Sequence, residues 1–247
     1  MESAQSIIMM GRNAVRDFLR RHAPSLARKL GTFHQSEDRK LLESVILARL
    51  RDDPEIRRLL FVGCDWYTKS YQRMFAAKEY WTLDVDPDKR RYGGAHHLTD
   101  ALRNLRQHAS ADYFDAIVCN GVFMKTAIET AEEAEPSFAA CFDCLRDGGC
   151  FVLGWNDTED LRPYPPSQSA TLARFECTAF PPLGVSEYAT DTSYRHTYTF
   201  FKKPMRSARL DGGADLERRA DKASQCRSRV NAVIRDQEKS SAARLAP

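Results

Sequence analysis

Short apolar runs separated by polar stretches characterise the middle of the chain. Five of these runs read RLLFVG, EYWTLDV, AHHLT, YFDAIVCN and CFVLGW, and the first begins at Arg58. Most are apolar throughout instead of alternating, which is typical of parallel strands buried on both faces. Helix-type stretches lie between them. The pattern therefore predicts an α/β fold in which helices cover both faces of a mostly parallel sheet, a three-layer Rossmann-like sandwich.

Two segments carry a clear helical period. Residues 36–52 have apolar side chains at helical spacing and are followed by Pro54, so a helix is predicted to lead into the first strand. Residues 136–145 have apolar side chains at i, i+3, i+4 and i+7, with Pro136 in the first turn and Asp-Gly-Gly as the stop. Upstream, the pattern predicts one or two more helices broken near Pro24. The recurring positions are Leu41, Leu42, Val45, Ile46 and Leu50 in the first segment and Phe138, Cys141, Phe142 and Leu145 in the second.

Two further strand candidates, ARFECTAF and RHTYTFFKKP, come late in the chain. No long helix separates them, so we expect an antiparallel pair at the edge of the sheet. From Met205 onward the chain has no aromatic residue, which is typical of a charged helical or disordered tail. The expected organisation is a helical extension at 1–54, a Rossmann-like domain at 55–204 and the tail at 205–247.

The composition is that of a globular domain of enzyme size. With 247 residues, 43% of them hydrophobic, the chain can bury a sizeable core. Residues 7–10 form an apolar run far shorter than the roughly 20 residues that span a bilayer, and no signal sequence precedes them. We therefore expect a soluble, cytoplasmic protein without a membrane partner. Its seven cysteines lack the dense spacing of a disulfide scaffold and are expected to be reduced.

Charge is distributed unevenly along the chain. Residues 58–203 carry 16 basic and 20 acidic side chains, whereas both flanking segments are net basic. An enzyme that acts on nucleic acid usually places a basic field beside its active site. The acidic centre therefore weighs against a nucleic-acid partner.

The carboxyl ends of the predicted strands hold the candidate binding residues. In an open parallel sheet, ligands bind outside these ends near the turn after the first strand, where Gly63 lies. An acidic residue about 20 positions further commonly accepts hydrogen bonds from ribose hydroxyls. Asp84 ends the second strand 21 positions after Gly63. We expect Asp84 to be the ribose ligand and Asp86 to cap the turn that follows.

Polar residues also end the third and fourth strands. Asp100 follows the third strand, where its carboxylate is placed to accept from the exocyclic amine of adenine. Asn120 and Gly121 follow the fourth strand, where a small polar turn borders the reactive end of a bound cofactor.

The ordered set of these pieces resembles the class I S-adenosylmethionine-dependent methyltransferases over about residues 55–204. The matching pieces are LLFVGC, WTLDVDP, LTDALRNL, YFDAIVCNGVF and CLRDGGCFVLGW, in family order and at family-like intervals. The resemblance implies a seven-stranded sheet with an antiparallel last strand, here RHTYTFFKKP. It also implies S-adenosylmethionine above the carboxyl edge and methyl transfer to a nucleophile by in-line displacement.

The first motif departs from the family pattern. The family usually has an acidic residue two places before its first glycine and two more glycines at alternate positions, where this chain has Phe61, Asp65 and Tyr67. S-adenosylmethionine carries no phosphate, so the backbone need not approach a pyrophosphate. Asp65 is a candidate partner for the cofactor's ammonium, and the hydroxyl of Tyr67 or Thr68, with backbone N–H groups, for its carboxylate. Thr68 is also the predicted N-cap of the short helix KSYQRMF.

The candidate cofactor-binding set includes the neighbours of these residues. It comprises Gly63, Cys64, Asp65, Tyr67, Asp84, Val85, Asp100, Ala101 and Asn120.

No catalytic residue is assigned from the sequence. His96, His97 and His196 lie near predicted strand ends, and a neutral imidazole there can take a proton from an acceptor hydroxyl. Methyl transfer also proceeds by positioning alone, without a general base. The tripeptide Trp155-Asn156-Asp157 follows the fifth strand and is a candidate lining of the acceptor pocket.

The CFDC segment has the two-residue spacing of a zinc half-site. No second pair of ligands accompanies it, so we expect no metal, and Cys141 is predicted to be a core thiol.

Three functions are compatible with this sequence. We expect a methyltransferase acting on a small-molecule acceptor, with a hydroxyl as the methylated group. Phe61 and the missing glycines favour the alternative of a methyltransferase-like binding module without catalysis. The basic flanks favour a third alternative, methylation of RNA or DNA.

Overall fold

The structure, a computed structural model, describes residues 36–206. The helices predicted upstream of residue 36 and most of the predicted tail lie outside the described residues. Within the described part, no helix combines the length and the apolar character needed to cross a membrane.

Eight strands are formed within residues 36–206. They are β1 (Arg58–Val62), β2 (Glu79–Asp84), β3 (His96–Thr99), β4 (Phe114–Phe123), β5 (Leu145–Asn156), β6 (Glu176–Cys177), β7 (Glu187–Ala189) and β8 (His196–Lys202). They form one sheet in the order β3-β2-β1-β4-β5-β8-β6, with β7 also paired to β8. β1 to β5 are parallel, and β8 is antiparallel to β5. The predicted mostly parallel sheet with an antiparallel last strand is confirmed.

The edge position next to β8 is shared by two short strands. β6 pairs with β8 from Glu176↔Lys202, and β7 pairs with it from Glu187↔Thr199, both in the antiparallel sense. They therefore occupy one strand position, interrupted by residues 178–186, and the sheet has seven positions. Residues 178 and 186 both bond to Phe200, and the residues between them loop out, closed by a bridge between Phe180 and Val185. Two prolines lie in this loop, where no ladder hydrogen bond is needed. The predicted pairing of ARFECTAF with RHTYTFFKKP is confirmed.

One face of the sheet is covered by the helix predicted at residues 36–52. It comprises α1 (Glu37–Leu41), a π-helical turn (Leu42–Ile46) and α2 (Leu47–Asp52), and the short α3 (Tyr71–Met74) lies beside it. Leu42, Ile46 and Leu50 are buried in the same apolar cluster as Phe61 of β1. This helix therefore contributes to the sheet's own core.

The opposite face is covered by α4 (Ala131–Cys144). Its residues Phe138 and Cys141 are fully buried, as the apolar spacing predicted. The helix begins earlier than predicted, so Pro136 lies inside it and not in its first turn. Proline lacks the N–H that would donate to the carbonyl of Glu132. The polar run from Ala131 to Glu135 hid this start, because only the positions from Phe138 onward carry apolar spacing.

Short turns connect the first strands at the carboxyl edge. The connections after β1, β2 and β3 contain the 3-10 helices Thr68–Ser70, Pro87–Tyr92 and Leu102–Gln107. These segments are too short to rise far above the sheet. Side chains at the strand ends are therefore bordered by compact turns.

Candidate functional site

Gly63 forms the turn at the carboxyl end of β1. Its φ is +91°, a region that side chains disfavour, and an added Cβ would lie 2.6 Å from the carbonyl oxygen of Asn120. The same Cβ would lie 2.9 Å from Cγ1 of Val122. The position therefore requires glycine both for its backbone conformation and for its close approach to the end of β4.

The Asp84 carboxylate joins the end of β2 to this turn. Its Oδ2 accepts from the backbone N–H of Cys64 at 2.7 Å, and its Oδ1 accepts from the N–H of Asp86 at 3.0 Å. Burial raises the pKa of the Cys64 thiol to about 12, so this side chain stays neutral. Cys64 thus contributes its backbone N–H. Asp86 caps the following turn by accepting from the N–H of Asp88, as predicted.

Asp65 already has a cationic partner in the chain. Its Oδ2 lies 3.1 Å from Nζ of Lys89, and its Oδ1 accepts from the N–H of Trp66 at 2.7 Å. The sequence analysis missed Lys89, which belongs to the turn after β2. The carboxylate that was expected to pair with the cofactor's ammonium is therefore paired with the ammonium of Lys89.

Tyr67 and Thr68 differ in their availability to a ligand. Thr68 is buried, and its hydroxyl interacts with the carbonyls of Asp65 and Tyr92 and with the N–H of Asp65. It lies at the first position of the 3-10 helix and makes no capping hydrogen bond to it, so the N-cap prediction is wrong. The Tyr67 hydroxyl forms no hydrogen bond with any described residue. Of the two hydroxyls, that of Tyr67 is therefore better placed to bind a ligand.

Val85, Asp100 and Ala101 lie at the ends of β2 and β3. Val85 is 66% exposed, which is unusual for a large apolar residue beside a sheet. The Asp100 carboxylate accepts from the N–H of Ala101, from Nδ2 of Asn104 and from Nε2 of His108. Its hydrogen bonds, first that from His108, lower the pKa of Asp100 to about 2. Asp100 is therefore ionised at neutral pH.

A polar network links the carboxyl ends of β4, β5 and the start of β8. The ring of His196 lies between two asparagines, with Nδ1 2.7 Å from Oδ1 of Asn156 and Nε2 3.1 Å from Oδ1 of Asn120. An added Cβ at Gly154 would lie 2.0 Å from Oδ1 of Asn120. The glycine in mid-strand therefore makes room for this network.

The His196 ring is neutral at physiological pH. Burial lowers its pKa to about 4, and only 5% of the residue is exposed. A neutral imidazole donates from one nitrogen and accepts at the other. One of the two asparagine amides must therefore present its NH₂ group to the ring. In this arrangement both ring nitrogens are engaged, and His196 holds Asn120 in place.

The other candidate histidines lie away from Asn120. His96 is exposed and stacks on Trp81, with ring centroids 5.0 Å apart. His97 contacts Oγ1 of Thr82 through its Nδ1 at 2.9 Å. The structure therefore places only His196, of these three candidates, beside the end of β4.

The tripeptide Trp155-Asn156-Asp157 is turned mostly inward, and its first two residues belong to β5 instead of following it as predicted. Trp155 is buried, and its Nε1 donates to Oγ1 of Thr199 at 3.0 Å. Asn156 bonds to His196, and Asp157 forms ion pairs with Arg162 and Arg195. No group of three or more metal-binding side chains is present in the described residues, and Cys141 is buried in the core.

One further charged residue reaches this edge from α1. The guanidinium carbon of Arg39 lies 3.4 Å from the centroid of the Tyr67 ring. Sequence reasoning missed it, although Arg39 precedes Leu42 by three and Ile46 by seven residues. This spacing continues the apolar stripe of the helix and was a usable signal that Arg39 faces the sheet.

Comparison with solved structures identifies the fold. The N-methyltransferase NodS from Bradyrhizobium japonicum matches with a TM-score of 0.50 and 15% identity, over 69% of this chain and 99% of that one. A SAM-dependent methyltransferase from Methanosarcina mazei matches with a TM-score of 0.50 and 14% identity, over 66% and 98%. No protein-family model and no curated protein matches the chain. The chain therefore has the fold of the class I S-adenosylmethionine-dependent methyltransferases.

Proposed function

We propose that this chain binds S-adenosylmethionine at the carboxyl edge of its sheet and transfers the methyl group to a hydroxyl of a small molecule. The arrangement of Gly63, Asp84 and Asn120 carries the proposal. Gly63 follows β1, Asp84 ends β2, and Asn120 lies within β4 just before its register shift, where β1 is flanked by β2 and β4. In open α/β sheets, this point of strand-order reversal is where ligands bind.

The nucleoside end of the cofactor fits the residues that follow β2 and β3. Each oxygen of Asp84 has one backbone N–H partner, and a carboxylate offers about four acceptor sites. Two sites therefore remain for ribose hydroxyls. Val85 offers an exposed apolar side chain to the adenine ring, and Asp100 keeps an acceptor site for its exocyclic amine. Ala101 adds a small side chain beside it.

The amino-acid end fits the turn after β1. Asp65 is placed for the cofactor's ammonium, which would replace Nζ of Lys89 as its partner. This replacement exchanges one cation for another on a partly exposed carboxylate, so its net electrostatic cost is small. The Tyr67 hydroxyl, which has no hydrogen-bond partner within residues 36–206, is available to the cofactor's carboxylate.

The chemistry requires little from the protein beyond positioning. When bound, S-adenosylmethionine would supply an electrophilic methyl group on its sulfonium. The acceptor oxygen would form the new C–O bond as the methyl–sulfur bond breaks, which leaves S-adenosylhomocysteine, and the acceptor hydroxyl would lose one proton. Asn120 lies beside Gly63 and offers an amide to orient the acceptor. His196 fixes Asn120 and is itself too enclosed to receive that proton directly. The proton is therefore released to solvent.

Methyl transfer is tested with S-adenosylmethionine labelled in its methyl group. The full chain is incubated with small-molecule extracts, and labelled products are separated by chromatography and identified by mass spectrometry. We expect a labelled methyl ether that forms with the intact protein and not with Asp84→Ala. Label found only on amines overturns the hydroxyl assignment, and label found on no small molecule overturns the proposal.

The Asp65 to Lys89 pair favours a second candidate, a binding module that has lost cofactor affinity. In that case the lysine is a permanent replacement for the cofactor's ammonium. Titration with S-adenosylmethionine separates the two, since a permanent pair predicts no binding for the wild type and recovered binding for Lys89→Met.

A further inference from the structure

Arg39 presents an unusual cation at the carboxyl edge. Its guanidinium stacks on the Tyr67 ring at 3.4 Å, and its Nη1 donates to the hydroxyl of Tyr71 at 3.2 Å. Arg39 also contributes electrostatically to the environment of His196. It therefore lies between the turn after β1 and the start of β8, on the side of the sheet that holds Asn120.

Most of the hydrogen-bonding capacity of the Arg39 guanidinium is unused within residues 36–206. A guanidinium carries five N–H donors, and the bond to Tyr71 is the one hydrogen bond that the Arg39 side chain makes with the described residues. It forms no ion pair with any carboxylate among residues 36–206. The neighbouring Asp38 accepts instead from the hydroxyl of Tyr194, and Glu43 accepts from the hydroxyl of Tyr71.

Three other partly buried arginines within residues 36–206, Arg49, Arg146 and Arg162, are paired with acids, whereas Arg58 lies over the ring of Tyr113 at 4.6 Å. Arg146 donates to Asp115 at 2.7 Å, and Arg162 forms an ion pair with Asp157. A charge withdrawn from water without a partner is costly, and stacking on one aromatic ring offsets only part of that cost. Within the described residues, Arg39 therefore lacks the acidic partner that Arg146 and Arg162 have.

We propose that Arg39 binds a carboxylate that a ligand brings to this edge. The planar guanidinium matches a carboxylate in two parallel hydrogen bonds, which a lysine does not provide. One source is the amino-acid end of S-adenosylmethionine, in which case the inference rests on the proposed function. The other source is an acidic methyl acceptor.

The contact with Tyr67 favours the cofactor as the source. Asp65 binds a cation through its carboxylate, and Arg39 contacts Tyr67, two residues further along the same turn. An amino acid zwitterion carries the two charges that complement this pair. Arg39 thus supplies a positive group for the cofactor's carboxylate at the turn where two of the motif's glycines are missing.

The test compares three variants of the full chain by isothermal titration. Arg39→Gln removes the charge and keeps a donor for Tyr71. Arg39→Lys keeps the charge but loses the two parallel N–H donors of the guanidinium. Arg51→Gln is the matched control, because Arg51 lies on the same helix and pairs at the surface with Asp52. Circular dichroism and the melting temperature establish that each variant is folded.

The first arm uses S-adenosylhomocysteine and methylthioadenosine, which lacks the amino-acid end. If the cofactor is the source, Arg39→Gln lowers the affinity for S-adenosylhomocysteine about 10- to 100-fold and changes the affinity for methylthioadenosine by less than about twofold. Arg39→Lys gives an intermediate loss of affinity for S-adenosylhomocysteine, and Arg51→Gln gives no loss.

The second arm uses benzoate, added to protein with and without saturating S-adenosylhomocysteine. If the acceptor is the source, the wild type binds benzoate in both conditions, and Arg39→Gln does not. The proposal is overturned if neither the binding of S-adenosylhomocysteine nor the binding of benzoate depends on Arg39. If the wild type binds neither nucleoside, the proposed function fails, and benzoate binding to the protein alone still decides the role of Arg39.

Discussion

The backbone N–H of Cys64 donates to the carboxylate of Asp84 at 2.7 Å, which ties the turn after β1 to the end of β2. The same turn lies against Asn120 of β4 because Gly63 has no side chain. Three strand ends are thus held together by one turn. Changes at these residues are expected to affect stability and ligand binding together.

Replacing Asp84 with asparagine is expected to weaken this connection. The NH₂ group of asparagine faces a backbone N–H that needs an acceptor, which costs about 1–3 kcal/mol of unfolding free energy. Affinity for S-adenosylmethionine is expected to fall at least about tenfold as one ribose acceptor is lost. Urea unfolding and calorimetric titration measure the two effects.

Asp86→Asn is the matched control for that change. Asparagine caps turns about as well as aspartate, so this variant should stay within about 0.5 kcal/mol of the wild type. Equal losses for the two variants would show that Asp84 has no special role.

Replacing Gly63 with alanine is expected to be more damaging than the same change at Gly184. Both glycines have positive φ, but an added Cβ meets backbone only at Gly63, whereas nothing lies within 4 Å at Gly184. The shared backbone penalty is about 1–2 kcal/mol, and the clash adds about 1–3 kcal/mol. Thermal and urea unfolding of both variants measure the difference. Equal destabilisation contradicts the close approach to Asn120.

Acidification is expected to destabilise the protein through His196. Its pKa of about 4 in the folded chain lies below the ordinary 6.5, so the unfolded chain takes up the proton first as pH falls. The effect is absent above pH 6.5, grows below it and levels off below pH 4, reaching about 2 kcal/mol at pH 5.

His196→Gln removes this titration. The variant should be less stable at pH 7, but its free energy of unfolding should fall about 2 kcal/mol less than that of the wild type between pH 7 and pH 5. Urea unfolding at the two pH values checks this. Parallel losses in both proteins would mean that His196 is not held neutral.

Asp65 and Lys89 are expected to act in opposite directions on cofactor affinity. Asp65→Asn removes the partner of the cofactor's ammonium. It should lower the affinity for S-adenosylmethionine about tenfold, with little effect on the affinity for methylthioadenosine. Lys89→Met removes the competing cation and should strengthen binding or leave it unchanged. Weaker binding by Lys89→Met would show that the lysine itself supports the ligand.

The strands were predictable from the sequence because they are buried on both faces and therefore read as continuous apolar runs. Gly63 and Asp84 were predictable because spacing alone brings the ends of two adjacent parallel strands together. Helix starts were less visible. The first turn of α4 is polar, and the connections after β2 and β3 form only 3-10 turns.

The side-chain partners at the site were not predictable in the same way. His196 and Asn120 are separated by 76 positions and meet only through the antiparallel register of β5 and β8. The pairing of Lys89 with Asp65 depends on how two turns fold toward each other. Such contacts follow from tertiary geometry, and no local pattern encodes them.

Calorimetric titration of the folded full chain with S-adenosylmethionine tests the central claim most directly. The account predicts saturable binding at one site per chain, weakened at least about tenfold by Asp84→Ala. No binding at millimolar concentrations, or binding that Asp84→Ala leaves unchanged, would contradict it.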